Sequence, residues 1–210
     1  MTIPPATDTS GPSPVDGRVA RARRTRDAIV DACIALVEEH DVRPTAPRIA
    51  ERAGVSVRSV FQHFDDLESL YGAVSDRVLQ RVGRLVVPIP TELPLTERIE
   101  RLAHQRAQLL EALLPVHRAA NVHAPFSAEL NRRLRRGHDF MRAEVTSVFA
   151  PELDGLTGDE RQRFVDALDV ALSWPMWETM RSLNDRSPEW TEQVMARMLT
   201  DLFAAVGITV

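Results

Sequence analysis

The sequence predicts an all-α chain in which an N-terminal three-helix unit with a helix-turn-helix is joined by a fourth helix to a larger helical domain. Three observations carry this expectation. Apolar residues recur at i, i+3, i+4 and i+7 over most of the chain, no segment alternates polar and apolar residues as a strand does, and proline and glycine fall where such helices would start or stop. With 210 residues, 44% hydrophobic and 27% charged, the chain is long enough to hold one or two domains with a real core.

The elements follow in order. Residues 1–17, rich in Pro, Ser, Thr and Gly, read as a disordered tail. Arg18, Arg21, Arg23, Arg24 and Arg26 then form a basic arm leading into a first helix, whose stripe is Ile29, Ala32, Cys33, Leu36 and Val37. Thr45 is a candidate cap for a second helix with Pro47 in its first turn. Proline disfavours helical angles at Ala46, which argues for a boundary one residue later. Ile49, Ala50 and Ala53 give this helix a small apolar face, and Gly54 supplies a left-handed stop. Val55 plugs the corner and Ser56 caps the third helix, along which Val60, Phe61 and Phe64 recur at helical spacing. Val57, Arg58, Ser59, Gln62 and His63 are left outward. A helix pair of this size exists to seat its second member in a DNA major groove, which makes the outward residues the candidate readers. Asp65 with Glu68 has the spacing of a capping box for a fourth helix bearing Leu67, Leu70, Tyr71, Val74, Val78, Val82 and Leu85.

Residues of about 24 to 72 resemble the N-terminal domain of TetR-family transcriptional regulators, judged by register over some forty positions. The resemblance rests on Arg24, Ile29, Ala32, Glu39, Thr45, Ile49, Ala50, Ala53-Gly54-Val55-Ser56, Val60-Phe61-Gln62-His63-Phe64 and Leu70. It implies a DNA-binding domain over 18–86, a Pro-rich linker over 87–95 and a C-terminal effector-binding and dimerisation domain over 96–210. It also implies a homodimer through the last two helices and a palindromic operator of double-stranded DNA. The expected DNA-contacting set is Arg21, Arg23, Arg24, Thr45, Arg48, Ser56, Val57, Arg58, Ser59, Phe61, Gln62 and His63. Two positions depart from the family pattern, with Phe61 where tyrosine is usual and Leu67 where lysine is usual. Both family residues tend to contact phosphates, so the grip on DNA is expected to lean more on Arg43, Arg48, Arg58 and the N-terminal arginines.

The net charge of -4 looks wrong for such a partner until it is divided along the chain. Residues 18–64 hold nine Arg against six Asp and Glu, whereas 65–210 hold 17 Arg against 22 acids. A basic segment beside an acidic remainder suits DNA binding at one place only. No apolar run could span a bilayer and the start lacks the pattern of a signal peptide, which points to a cytoplasmic protein with no membrane partner. The single Cys33 sits on an apolar helix face and reads as a small buried hydrophobe.

Beyond the three prolines of 87–95, Thr96 is a candidate cap for a helix of about 24 residues, broken or kinked near Pro115. A second helix is expected from Ser127 to about Phe149. A third starts near Asp159, carries Phe164, Leu168, Ala171 and Leu172, and has Pro175 in its middle. Ser187-Pro188 starts the last, striped by Val194, Met195, Met198, Leu199, Leu202, Phe203 and Val206. That stripe fits either a dimer interface or intramolecular core. His104, His117, Phe140, Met141, Trp174, Trp177 and Met180 are candidate lining of a site for a small, largely apolar effector. The Arg132-Arg133-Leu134-Arg135-Arg136 run reads as a solvated helix face.

Enzymatic chemistry is not expected. No Cys, His or carboxylate cluster has metal-ligand spacing, and there is no phosphate-cradling glycine loop, nucleophile elbow or paired-cysteine element. No cofactor is implied. The functional expectation is a sequence-specific DNA-binding regulator, a repressor released by its effector. The alternative is a ligand-independent or architectural DNA binder, whose C-terminal core would be filled.

Overall fold

The computed structural model describes residues 14–209, and among them there are helices and no strands. The order is α1 (Pro14–Glu38), α2 (Ala46–Ala53), α3 (Val57–His63), α4 (Leu67–Val82), α5 (Leu95–His123), α6 (Ala128–Val148), α7 (Ala150–Leu153), α8 (Gly158–Ala171), α9 (Trp174–Glu178) and α10 (Pro188–Ala205). The chain divides into two compact units between Val74 and Ser75, inside α4, rather than at the Pro-rich segment. Residues 1–13 of the expected tail lie outside the described residues, whereas the basic arm is part of the first helix. Pro14 is the first residue of α1, and Arg18, Arg21, Arg23, Arg24 and Arg26 are all helical. Arginine and alanine are both good helix formers, and they make up seven of the nine residues from Arg18 to Arg26.

In the first unit, Ile29, Val30, Cys33, Ile34, Leu36 and Val37 bury one side of α1 against α2 and α3. The helix stops at His40, which takes a left-handed φ of 69°, while the Asp41 N–H reaches back to the Leu36 carbonyl at 3.0 Å. This is a Schellman-type end in which histidine fills the position glycine usually takes. α2 begins at Ala46 despite the following proline, and Thr45 has extended angles with no side-chain capping bond. Ala46 is itself buried, so packing holds it in the helix. Arg26 stands over the Phe64 ring at 4.8 Å, and the Tyr71 hydroxyl donates to the Pro44 carbonyl at 3.2 Å. The box that opens α4 lies one residue later than expected: the Ser69 N–H donates to Asp66 Oδ1 at 2.7 Å, and the Ser69 hydroxyl donates to the Asp66 carbonyl.

In the second unit, α5 runs through Pro115 as a 29-residue helix. Leu110, Leu114 and Ala119 are buried on both sides of the proline, and this packing offsets the roughly 3 kcal/mol such a residue costs a helix interior. Pro94 precedes the first helical residue, and no Thr96 cap forms. Ser127 caps α6, accepting from the Leu130 N–H at 3.0 Å. The third expected helix is two. α8 ends at Ala171, and Ser173 caps a new short helix in whose first turn Pro175 lies. A π-helical turn, Thr179–Leu183, follows. Ser187 then caps α10, as its Ser-Pro start predicts.

Two buried ion pairs staple α5 to the helices around it. Arg98 donates to the Leu93 and Val148 carbonyls at 2.9 and 2.7 Å and to Glu152 Oε2 at 2.8 Å. Arg106 donates to Glu144 Oε2 at 2.7 Å and to the Met141 carbonyl at 3.2 Å, and its burial lowers the guanidinium pKa. On the other side Glu111 accepts from Trp177 Nε1 at 3.1 Å and from Arg181 at 2.9 and 3.0 Å, which holds its carboxyl below the usual range.

Candidate nucleic-acid interface and cavity

The turn between α2 and α3 is built by Gly54, whose φ of 65° and ψ of 34° let the Val55 N–H bond the Ala50 carbonyl at 2.9 Å. No residue with a Cβ takes that conformation without strain. Ser56 then accepts from the Ser59 N–H at 3.1 Å, fixing where α3 begins. Val60 and Phe64 point into the core and hold α3 against it. What remains outward is Val57, Arg58, Phe61 and Gln62, with Ser59 and His63 half-buried. The exposed face is therefore mixed: Arg58 and Gln62 bring hydrogen-bonding groups at i and i+4, and Val57 and Phe61 bring apolar surface at the same spacing.

Phe61 is 48% exposed and does not join Val60 and Phe64 in the core as its spacing suggested. A seven-residue helix has only two turns, and one buried stripe occupies a third of its circumference. Around α3, Thr45 is exposed beside the start of α2, and Arg48 pairs with Asp41 and Arg52 with Glu39. Arg21, Arg23 and Arg24 are exposed on α1.

The second unit contains a cavity of about 730 Å³ within its own helices. Val78, Leu79 and Val82 from the C-terminal half of α4 face Leu109, Leu113 and Val116 of α5 across it, with α6 and Trp174 completing the wall. Of the residues expected to line a site, His117, Phe140, Met141 and Trp174 do so. His104, Trp177 and Met180 do not. His104 is exposed on α5 with its Nδ1 3.1 Å from Glu192, Trp177 is fully buried against Glu111, and Met180 belongs to the π-helical turn. Spacing alone could not separate these: Trp177 is fully buried with its Nε1 on Glu111, whereas Trp174, the first residue of α9, lies on the cavity wall.

His117 stacks on Trp174, and burial pushes its imidazole pKa down to about 4 against a smaller opposing pull from Glu178. It is neutral near pH 7 and presents the cavity with one uncharged polar ring. Arg133 and Arg136 also line the cavity, so the arginine run is not wholly a solvated face. Among the described residues, no group of His, Cys, Asp and Glu is arranged to hold a metal ion, and no helix is long and apolar enough to cross a membrane.

Residues 29–74 match the family model of the bacterial regulatory proteins of the tetR family. Among solved structures, the chain is similar to a protein of Mesorhizobium loti described as a TetR-family transcriptional regulator. That pair shows 25% identity and a TM-score of 0.60, covering 88% of this chain and 98% of the other. It shares its fold with a TetR-family regulator of Streptomyces coelicolor, at 18% identity, 88% and 81% coverage and a TM-score of 0.67. A Rhodococcus transcriptional regulator aligns at 19% identity, 88% and 96% coverage and a TM-score of 0.61. No curated protein sequence matches the chain significantly.

Proposed function

Since the chain belongs to the TetR family of DNA-binding transcriptional regulators, not of enzymes, we propose that it is a repressor whose hold on a palindromic operator is released by a small, largely apolar effector. The observation that carries this reading is the exposed face of α3, set by the Gly54 turn and the Ser56 cap, on which Arg58 and Gln62 stand outward with groups suited to hydrogen-bonding base edges. Arg48, Thr45 and the arginines of α1 supply backbone contacts that set affinity and register.

A homodimer doubles these contacts and matches a two-fold operator. α10 supports it. Thr191, Met195, Leu199 and Phe203 form one fully buried stripe, while Val194, Met198, Leu202 and Val206 form a second that is only half-covered. Val170 of α8, a helix that packs on α10, and Trp190 of α10 itself are exposed, apolar surface of the kind a partner covers. The cavity favours an effector over the filled core of an architectural binder.

Selection of bound duplexes from a random DNA pool tests the reading. Enrichment of an inverted repeat with half-sites about one helical turn apart is expected. A pool with no shared sequence would show that the chain does not read bases.

A further inference from the structure

We infer that the cavity of the second unit takes an amphipathic anion, an apolar body carrying one carboxylate-like group, with the anionic end at Arg133 and Arg136 of α6. The inference rests on the effector reading and assigns its chemistry. Most of the wall is aliphatic or aromatic, and 730 Å³ is ample for an extended hydrocarbon or aromatic body. The charge is confined to one part of α6 and the facing turn of α4.

There, three guanidinium groups share two carboxylates. Glu129 accepts from Arg132 at 2.7 and 3.1 Å and from Arg133 at 2.8 Å, and lies 3.7 Å from Arg136. Asp76 of α4 accepts from Arg133. The cluster is one negative charge short, and Arg136, the most loosely paired of the three, lines the cavity together with Arg133 and Asp76. His138, also on the wall, is 3.4 Å from Asp169, whose carboxylate Arg142 already engages at 2.9 Å. A bound carboxylate would complete the Arg133–Arg136 cluster through forked hydrogen bonds while its body removes apolar wall from water. A cation placed there would meet the arginines, and a neutral molecule would gain the burial alone.

Isothermal titration of the full chain with decanoate, decanol and decyltrimethylammonium, three probes of one chain length, tests the assignment. Decanoate is expected to bind at least tenfold more tightly than decanol, with the cation weakest. Arg136→Gln, at a side chain that is mostly exposed and weakly paired, is expected to weaken decanoate about tenfold and leave decanol within twofold; Arg133→Gln should act in the same direction. Equal binding of decanoate and decanol, no binding of decanoate, or a preference untouched by both variants overturns the anion assignment. Operator release is read separately. Decanol binding and releasing DNA as well as decanoate removes the anion while the effector reading stands, whereas decanoate bound without any change in operator affinity keeps the anion and removes the effector reading.

Discussion

His117 lies flat against Trp174, with ring centroids 3.8 Å apart and planes within 4° of parallel. The pair joins α5 to the start of α9 and forms part of the cavity wall. Because burial holds the imidazole neutral down to about pH 4, against an ordinary value of 6.5, the unfolded chain binds a proton in that interval and the folded chain does not. Stability from this group is therefore full above pH 6.5 and falls as the pH drops toward 4. Comparing urea midpoints at pH 7 and pH 5, wild type should lose about 1–2 kcal/mol more than His117→Gln. Equal losses would mean that His117 is not buried neutral.

Arg98 and Glu152 bind one another where both are nearly out of water, and Arg98 also holds two carbonyls. Arg98→Ala leaves the Glu152 carboxylate buried without its cation and should cost about 3–5 kcal/mol in chemical denaturation. The double variant Arg98→Met/Glu152→Leu should recover a large part of that loss. A loss under 1 kcal/mol for Arg98→Ala would show that solvent reaches the pair.

Cys33 is fully buried in α1, and burial, aided by nearby Asp41, raises its thiol pKa to about 12. Iodoacetamide should modify it only through unfolding, at a rate that follows urea concentration. Rapid labelling of the native protein at pH 8 would contradict this placement.

Phe61 and Val57 place apolar surface on the exposed face of α3, and thymine offers a C5-methyl group in the major groove. Replacing thymine by uracil within the selected half-site should weaken wild-type binding severalfold and should matter less for Phe61→Ala. An equal effect on both proteins would take Phe61 off the bases.

Much of this architecture was legible from local chemistry. Gly54 and Ser56 fix the turn because each acts through its own backbone, and Ser127 and Ser187 mark helix starts for the same reason. Periodicity fails where tertiary packing decides. Ala46 is drawn into α2 against the proline rule, α5 passes through Pro115, and Pro175 opens a helix instead of interrupting one. The cavity was half visible: aromatic and sulfur side chains flagged His117, Phe140, Met141 and Trp174, but the α4 wall and the Arg133–Asp76 pair depend on which helices meet. Arg133 is four residues after Glu129, the helical ion-pair spacing, and that was the available signal for treating the arginine run as structured.

Sequence reading by α3 is measured most directly as the ratio of affinities for the selected duplex and a scrambled one, by fluorescence anisotropy at fixed salt. Wild type is expected to discriminate by about 1,000-fold or more. Arg58→Ala and Gln62→Ala should each reduce the ratio by about tenfold, while Arg48→Ala should weaken both duplexes alike and lower the salt slope. A wild-type ratio near one, or a ratio unchanged in both Arg58→Ala and Gln62→Ala, would contradict the assignment of α3 as the reading helix.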